Sequence, residues 1–414
     1  MRKIAIIGGG QAGMPVAFGL LDKGYEVTVY TNRTPDQVRA GRVMSSQCMF
    51  ATALDVERRL GINFWEEDCP PVEGIGFALP NPDQPDTKAV DWSGRLDRAA
   101  QATDQRIKMP FWLEEFERRG GHIVFEDVGI PELERISQSH ELTLLAAGKG
   151  EVVRLFESDI SRSPYNKPQR ALALTYVHGL EPTPDYSRVS FNFIPGVGEY
   201  FVFPSLTLSG PCDIMVFEGI PSGPLDRFRD AQSPQEHLER SLSFLQEYIP
   251  WEADRARHCE LTDAQGYLAG SFAPTVRKPV LTLPSGNLVL GMGDAVVVND
   301  PITGQGSNNA AKCAQVYLDQ ILAQGTLPFD RRWMEATFDT YWNYANNVVS
   351  WTNSMLQPPT PQAFALLTQA ANSPQLAHFL ANAFDNPPVL YPAWEDLAEA
   401  EKLIQSTAPT LTTA

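Results

Sequence analysis

A short apolar run, Lys3 to Ile7, leads straight into Gly8-Gly9-Gly10-Gln11-Ala12-Gly13, and a helical stretch from Ala12 to Lys23 follows, closed by Gly24. A G-x-G-x-x-G turn between a strand and a helix, with a second strand at Glu26 to Tyr30, opens a βαβ unit of the dinucleotide-binding kind. Each residue has a physical task. Gly8 permits the tight turn, Gly10 lets a pyrophosphate approach the backbone, and Gly13 lets the helix pack closely. Gln11 and Ala12 complete the loop, and the helix N-terminus offers unpaired N–H groups to an anion. The acidic residue that takes ribose hydroxyls in such folds stands roughly 20 residues further on. Here that stretch reads Tyr30-Thr31-Asn32-Arg33, so Thr31, Asn32 and Arg33 are left to hold the adenosine end with weaker bonds.

The rest of the chain divides by pattern. Proline and glycine clusters between Gln37 and Asp104, such as Cys69-Pro70-Pro71 and Pro80-Asn81-Pro82-Asp83, predict loops around a site. A helix is expected over Arg106 to Arg119, then strands at His122–Phe125 and Leu142–Ala146, with Val128 after the first and Gly148 after the second as further candidate ligand-binding positions. Runs at Ala171–Val177, Val189–Phe193, Tyr200–Phe203 and Asp213–Phe217 predict an antiparallel sheet and a second lobe. A strand near Asn287–Leu290 and a helix from Ser307 to Ala323 return to the first lobe. Helices from Arg331 to Gln405 are broken at Gln357-Pro358-Pro359 and Asn386-Pro387-Pro388.

Composition narrows the partners. Thirty-three basic against 50 acidic side chains give a net charge of -17, which repels nucleic-acid phosphates and anionic lipid. The same charge also serves solubility alone. Five scattered cysteines with no C-x-x-C pair indicate neither a disulfide framework nor a metal site. No stretch approaches the roughly 20 apolar residues of a membrane span, and no cleavable leader is evident, so a cytoplasmic protein is expected.

A second motif selects the cofactor. Gly293-Asp294-Ala295, followed by Pro301-Ile302-Thr303-Gly304-Gln305-Gly306-Ser307-Asn308, resembles the flavin-binding segment of the aromatic hydroxylase class. The resemblance implies FAD, with Asp294 accepting a ribityl hydroxyl and the glycine-rich helix start facing the flavin, where it would stabilise negative charge near N1. Arg42 and Arg106 stand where that class places arginines that reach the phosphates or ribityl chain, although each also reads as an ordinary surface arginine. Members that bind NAD(P)H carry an Asp-Gly motif at the end of the first lobe. Here the strand runs into Ala146-Ala147-Gly148-Lys149-Gly150, which places flavin reduction elsewhere.

Further stretches narrow the family: Val27-Thr28-Val29-Tyr30-Thr31, Lys167-Pro168-Gln169-Arg170-Ala171, Asp300-Pro301 to Asn308, and Trp351-Thr352-Asn353. Together they resemble the oxygenase component of the styrene and indole monooxygenases. That resemblance implies an α/β fold with a Rossmann-like FAD-binding domain of the p-hydroxybenzoate hydroxylase-like class, a mixed β-sheet substrate domain and C-terminal helices. The expected boundaries are 1–165 and 285–330 for the FAD domain, with substrate-domain insertions around 45–100, then 166–284 for the sheet and 331–414 for the helices. It further implies reduced FAD supplied by a separate NADH-dependent reductase, O2 as cosubstrate, and transfer of an oxygen atom through a C4a-(hydro)peroxyflavin. A homodimer is one assembly open to such a chain.

Within the family the styrene branch carries Asn-x-Val-x-His where the indole branch carries Ser-x-Gln-x-Met. This chain reads Ser45-Ser46-Gln47-Cys48-Met49, and Val72, Ile75 and Ala100 stand where the styrene branch has Tyr, His and Ser. The resemblance therefore implies indole, oxidised at C2=C3 toward indoxyl and indigo. Ser45, Gln47 and Met49 are expected opposite a wall of Pro301, Ile302, Thr303 and Asn308, with Gln47 bonding the indole N–H and Met49 facing the ring. No acid–base residue is assigned, because the cofactor carries the reaction. The alternatives are a styrene epoxidase, a one-component NAD(P)H-dependent hydroxylase, and a flavin-binding escort or sensor. The Trp-x-Trp-x-Ile-Pro motif of the halogenases that share this fold is absent.

Overall fold

A computed structural model describes residues 2–408. The first βαβ unit forms as the glycine pattern predicts. Strand β1 (Lys3–Ile7) leads into helix α1 (Gly13–Asp22), and β2 (Glu26–Thr31) returns parallel to β1. Both strands are buried along nearly their whole length because helices cover both faces of a parallel sheet. Helix α1 is buried from Gly13 to Leu20. It lies so close to its neighbour that a Cβ on Gly19 would stand 2.3 Å from the Leu318 side chain.

Between α1 and the second sheet lie the short α2 (Pro35–Arg39) and α3 (Ala51–Arg59). The region expected to be loops holds instead the longest hairpin of the molecule, β3 (Pro71–Asn81) and β4 (Gln84–Gln101). Pro82 and Asp83 form its turn. The strand signal in β4 is masked by charge: Val90, Trp92 and Gly94 are buried while the alternating Asp91, Ser93 and Arg95 are exposed, the pattern of an edge strand with one face in water. Gly94 lets a C-terminal helix, Pro374–Ala383, lie directly on β4, since a Cβ there would meet the Ala377 carbonyl at 2.3 Å.

Helix α4 (Gln105–Arg118), capped by the Asp104 side chain, follows, then β5 (His122–Phe125), α5 (Ile130–Ser139) and β6 (Leu142–Leu145). Strands β7 (Ala171–His178), β8 (Arg188–Ile194), β9 (Gly198–Thr207) and β10 (Gly210–Gly219) join β3 and β4 in one sheet of order β7-β10-β9-β8-β3-β4, widened by two short strands against β7. The sheet is mixed, because β3 and β8 run parallel while the other pairs are antiparallel. Helices α6 (Pro234–Tyr248) and α7 (Pro250–Arg255) cover its far face.

The chain re-enters the first sheet at Val280–Thr282, a few residues ahead of the expected boundary, and Leu288–Gly291 then pairs parallel with β6. Helix α8 (Gly306–Gln324) packs on α1, and α9 (Arg331–Met355) and the shorter helices after it close the cavity side. Among the described residues no helix is long and apolar enough to cross a membrane, and no group of three or more His, Cys, Asp or Glu side chains is placed to hold a metal ion.

Candidate flavin and substrate site

The glycine turn holds its shape by backbone contact. Gly8 takes φ +120°, and a Cβ there would stand 2.8 Å from the Ala146 carbonyl carbon; a Cβ on Gly13 would stand 2.3 Å from the Gly8 oxygen. Gly10 differs, since a Cβ there would meet nothing within 4 Å. The second cradle has the same character. Gly304 takes φ +62°, a Cβ on Gly304 or Gly306 would likewise meet open space, and no side chain caps α8. Two helix N-termini, those of α1 and α8, thus border space that the protein leaves free, as an anionic cofactor requires.

Asp294 lies between the two cradles, its side chain 3.3 Å from where a Gly148 Cβ would be. Surrounding protein pushes its carboxyl up to about 6 while Arg277 pulls it down. The side chain still opens to solvent and takes no hydrogen bond among the described residues, so its oxygens are free to accept one. These features fit FAD.

The arginines and the adenosine end are arranged less simply. Arg106 is buried, and its guanidinium is claimed by Asp104 (2.9 Å), by both oxygens of Asp263 (3.0 and 2.9 Å) and by Thr207. Burial opposes its charge, but the two carboxylates more than offset this and hold its pKa above the usual value. It therefore borders the groove as a neutralised group, not as a free phosphate ligand. That groove offers about 410 Å³ and is also lined by Arg39, Gly41, Ser209 and Gln265. Arg42 is exposed and stacks 4.4 Å over the Tyr267 ring. Thr31 ends β2, Asn32 and Arg33 follow it with the Arg33 guanidinium 2.8 Å from the Met44 sulfur, and Val128 packs at the edge of the same core.

Under the glycine loop lies a buried pair that the sequence did not announce. Gln11 donates to Glu57 at 2.7 Å, Lys108 donates to the same carboxylate at 2.5 Å, and Lys108 also reaches the Met49 sulfur at 3.2 Å. Met49 packs there with Ala53, Leu54, Val56 and Ala311. Gln47 donates to the Thr103 carbonyl and accepts from Ser45. The Asn308 amide is fully used: it accepts from Phe50 N–H (2.8 Å) and donates to the carbonyls of Cys48 (2.9 Å) and Gly304 (3.0 Å). Met49 thus packs against Ala311 of α8, while Ser45 and Gln47 are held by each other, by the Thr103 carbonyl and by Tyr176, so that their polar groups serve the protein itself.

The apolar cavity lies elsewhere, between β3, β4, β8 and the C-terminal helices. Ile75, Ile302 and Thr303 line it with Phe77, Trp92, Phe191, Trp351, Phe384 and Trp394, among others. Val72 and Ala100, paired across β3 and β4, belong to the surrounding apolar cluster but not to the lining; Pro301 sits at the head of the turn. Trp92, Phe77, Phe191 and Phe201 form a stacked ladder with centroids 5.6 to 5.9 Å apart, one rung per strand. The Thr303 hydroxyl is held by Thr352 at 2.7 Å, and the indole N–H groups of Trp92 and Trp394 have acceptors. Trp351 Nε1 is buried without one among the described residues. Free space in the cavity is only about 30 Å³, so side chains must swing aside to admit a ring. The aromatic lining comes largely from β4 and the C-terminal helices, where only Trp351 stood in a motif quoted from the sequence.

Residues 148–255 match the family model described as "Styrene monooxygenase A putative substrate binding domain". The whole chain is 28% identical, over 422 residues and 99% of both proteins, to styrene monooxygenase StyA of Pseudomonas fluorescens. Among solved structures, a flavoprotein/dehydrogenase from Cytophaga hutchinsonii superposes with a TM-score of 0.67 at 15% identity, covering 98% of this chain and 99% of that one. The myxobacterial chondrochloren halogenase CndH, an FAD-dependent halogenase, gives 0.63 at 14% identity, covering 98% and 97%. The fold is therefore that of the α/β flavin-dependent monooxygenases and halogenases, and the chain is similar in sequence to styrene monooxygenase StyA over 99% of its length.

Proposed function

We propose that this protein epoxidises indole at C2=C3, using reduced FAD delivered by a separate NADH-dependent reductase. One observation carries the reading: an apolar, aromatic-lined cavity meets the flavin cradle at a single turn, Pro301-Ile302-Thr303, whose Ile302 and Thr303 line the cavity. When bound, reduced FAD supplies the activation of dioxygen for transfer of one oxygen atom. The chain's own part is to bind and orient. Gly10 and the α1 N-terminus would receive the diphosphate, Asp294 a ribityl hydroxyl, and Gly304 to Ser307 the flavin ring. The aromatic ladder gives a flat substrate a stacking surface, and the dry lining excludes water that would release hydrogen peroxide. Trp351 Nε1–H is the lining donor free to meet an epoxide oxygen.

The indole preference is supported by Ile75 in the lining and by the Ser45, Gln47 and Met49 pattern, although none of the last three lines the cavity. With chemically reduced FAD and O2, indole should be consumed with a higher specificity constant than styrene and leave indigo. Ile75→His, which puts a polar ring into the cavity, should lower the indole value by roughly 10–200-fold, the range of a single pocket contact. NADH without a reductase should not reduce the bound flavin. A styrene preference in the unmodified protein would overturn the substrate reading, and direct reduction by NADH would overturn the two-component reading.

A further inference from the structure

Behind the Pro301–Thr303 turn, the carboxyls of Glu199, Glu218 and Asp300 gather near the Arg170 guanidinium, with Glu218 and Asp300 within hydrogen-bonding reach of each other. Glu199 on β9 and Glu218 on β10 stand directly opposite each other, an arrangement that repels when both are ionised. Glu199, Glu218 and Asp300 are all at most 1% exposed. Arg170, just ahead of β7, donates Nε and Nη2 to the two Glu199 oxygens at 2.7 and 2.9 Å, a bidentate pair that marks Glu199 as the ionised partner.

Nothing is left for the other two. Among the described residues no group donates to either oxygen of Glu218 or to Asp300 Oδ2, while Asp300 Oδ1 accepts the Ile302 N–H at 3.2 Å and so begins the turn. With every carboxyl ionised, three negative charges would face one positive charge in a dry interior, and buried acceptors would stay without donors, each a substantial penalty. Burial, with Asp300 and Glu199 as anionic neighbours, pushes the Glu218 carboxyl well above its ordinary range, and burial raises Asp300 as well.

We infer that Glu218 and Asp300 hold one proton between them, and that this pair is a positioning device that fixes the turn joining flavin cradle and substrate cavity. The shared proton gives Glu218 an O–H to donate to Asp300 Oδ2, which leaves Oδ1 free to hold Ile302. Two sequence stretches far apart in the chain, Arg170-Ala171 and Asp300-Pro301, thereby meet in one charge cluster. The inference does not depend on which aromatic substrate is used.

Infrared spectroscopy at pH 8 should show the carbonyl stretch of a buried protonated carboxylic acid, shifted in D2O. Glu218→Gln and Asp300→Asn should each remove it, since either amide supplies a permanent donor in place of the proton. The stability effect has a definite sign. A carboxyl whose folded pKa is raised contributes stability that is complete below its ordinary value of about 4.3 and is lost as pH rises toward the folded value. Urea titrations from pH 6 to 8 should therefore show the unfolding constant of the unmodified protein rising relative to Glu218→Gln by up to about tenfold per pH unit. For positioning, Glu218→Leu, which offers no donor, should weaken FAD binding in a fluorescence titration, and Glu218→Gln should restore it. A band that survives both substitutions, a flat stability ratio, or Leu and Gln variants that bind FAD equally would each overturn the proposal.

Discussion

Gly10→Val is expected to fold and to lose FAD, with affinity down by roughly 100-fold or more, about 3 kcal/mol. The reason lies in where the new side chain goes. A Cβ at Gly10 meets no protein atom within 4 Å, so the fold gains no clash, but the isopropyl group fills space reserved for a pyrophosphate. Gly13→Val is the contrasting case, because its Cβ would stand 2.3 Å from the Gly8 oxygen; that variant should be destabilised whether or not cofactor is present. Flavin fluorescence titration, with near-ultraviolet circular dichroism to establish folding, separates the two. Undiminished FAD affinity in a folded Gly10→Val protein would remove the glycine turn from the cofactor site.

Lys108→Met should cost about 3–5 kcal/mol of stability, the usual penalty for removing one partner of a buried ion pair. Glu57 is 0% and Lys108 3% exposed, so solvent cannot take over the lost bond, and one Glu57 oxygen already lacks a donor. Replacing both residues, as Lys108→Met with Glu57→Leu, should recover much of the loss, since it is the stranded charge and not the absent attraction that destabilises. Urea denaturation of the single and double variants tests this. A single variant within 1 kcal/mol of the parent would mean that Glu57 is not charged in the fold. Because Glu57 also holds Gln11, the single variant should loosen the glycine loop and weaken FAD binding too.

What the sequence revealed was local, and what it concealed was spatial. The G-x-G-x-x-G turn could be read because its three glycines, its strand and its helix all fall within a short stretch of chain, even though the backbone that crowds Gly8 belongs to Ala146. The β3–β4 hairpin could not, because prolines mark its ends and the exposed residues of β4, such as Asp91 and Arg95, break any apolar run. The extended segment from Ser45 to Met49 shows the difficulty most clearly. Alternation divides it into two faces, yet nothing in the pattern says which face meets the cavity. Cys48 and Phe50 join the apolar cluster around the cavity, while Met49 joins Lys108 on the cofactor side. Arg106 shows the complementary limit: the resemblance set it among arginines that reach the phosphates or ribityl chain, but nothing local announced that Asp263, distant in the chain, pairs with its guanidinium. Glu218 and Asp300 stand far apart in sequence with no motif in common, and only the return of the chain from the second sheet brings them together.

Gln305, at the start of α8, donates its amide to the carbonyl of Phe384 at 2.8 Å, and Phe384 is also a wall of the cavity. A ring that displaces Phe384 far enough to move its backbone carbonyl would therefore pull on the helix start proposed to receive the flavin. Thermodynamic linkage makes any such coupling symmetrical: the factor by which an aromatic ligand tightens FAD binding equals the factor by which FAD tightens the aromatic ligand. Titrating oxidised FAD with and without indole, and indole with and without FAD, should return one common factor different from unity, and Gln305→Ala should bring it close to unity. Neither ligand would then be an obligate first arrival, and the order of binding in a cell would follow from their concentrations.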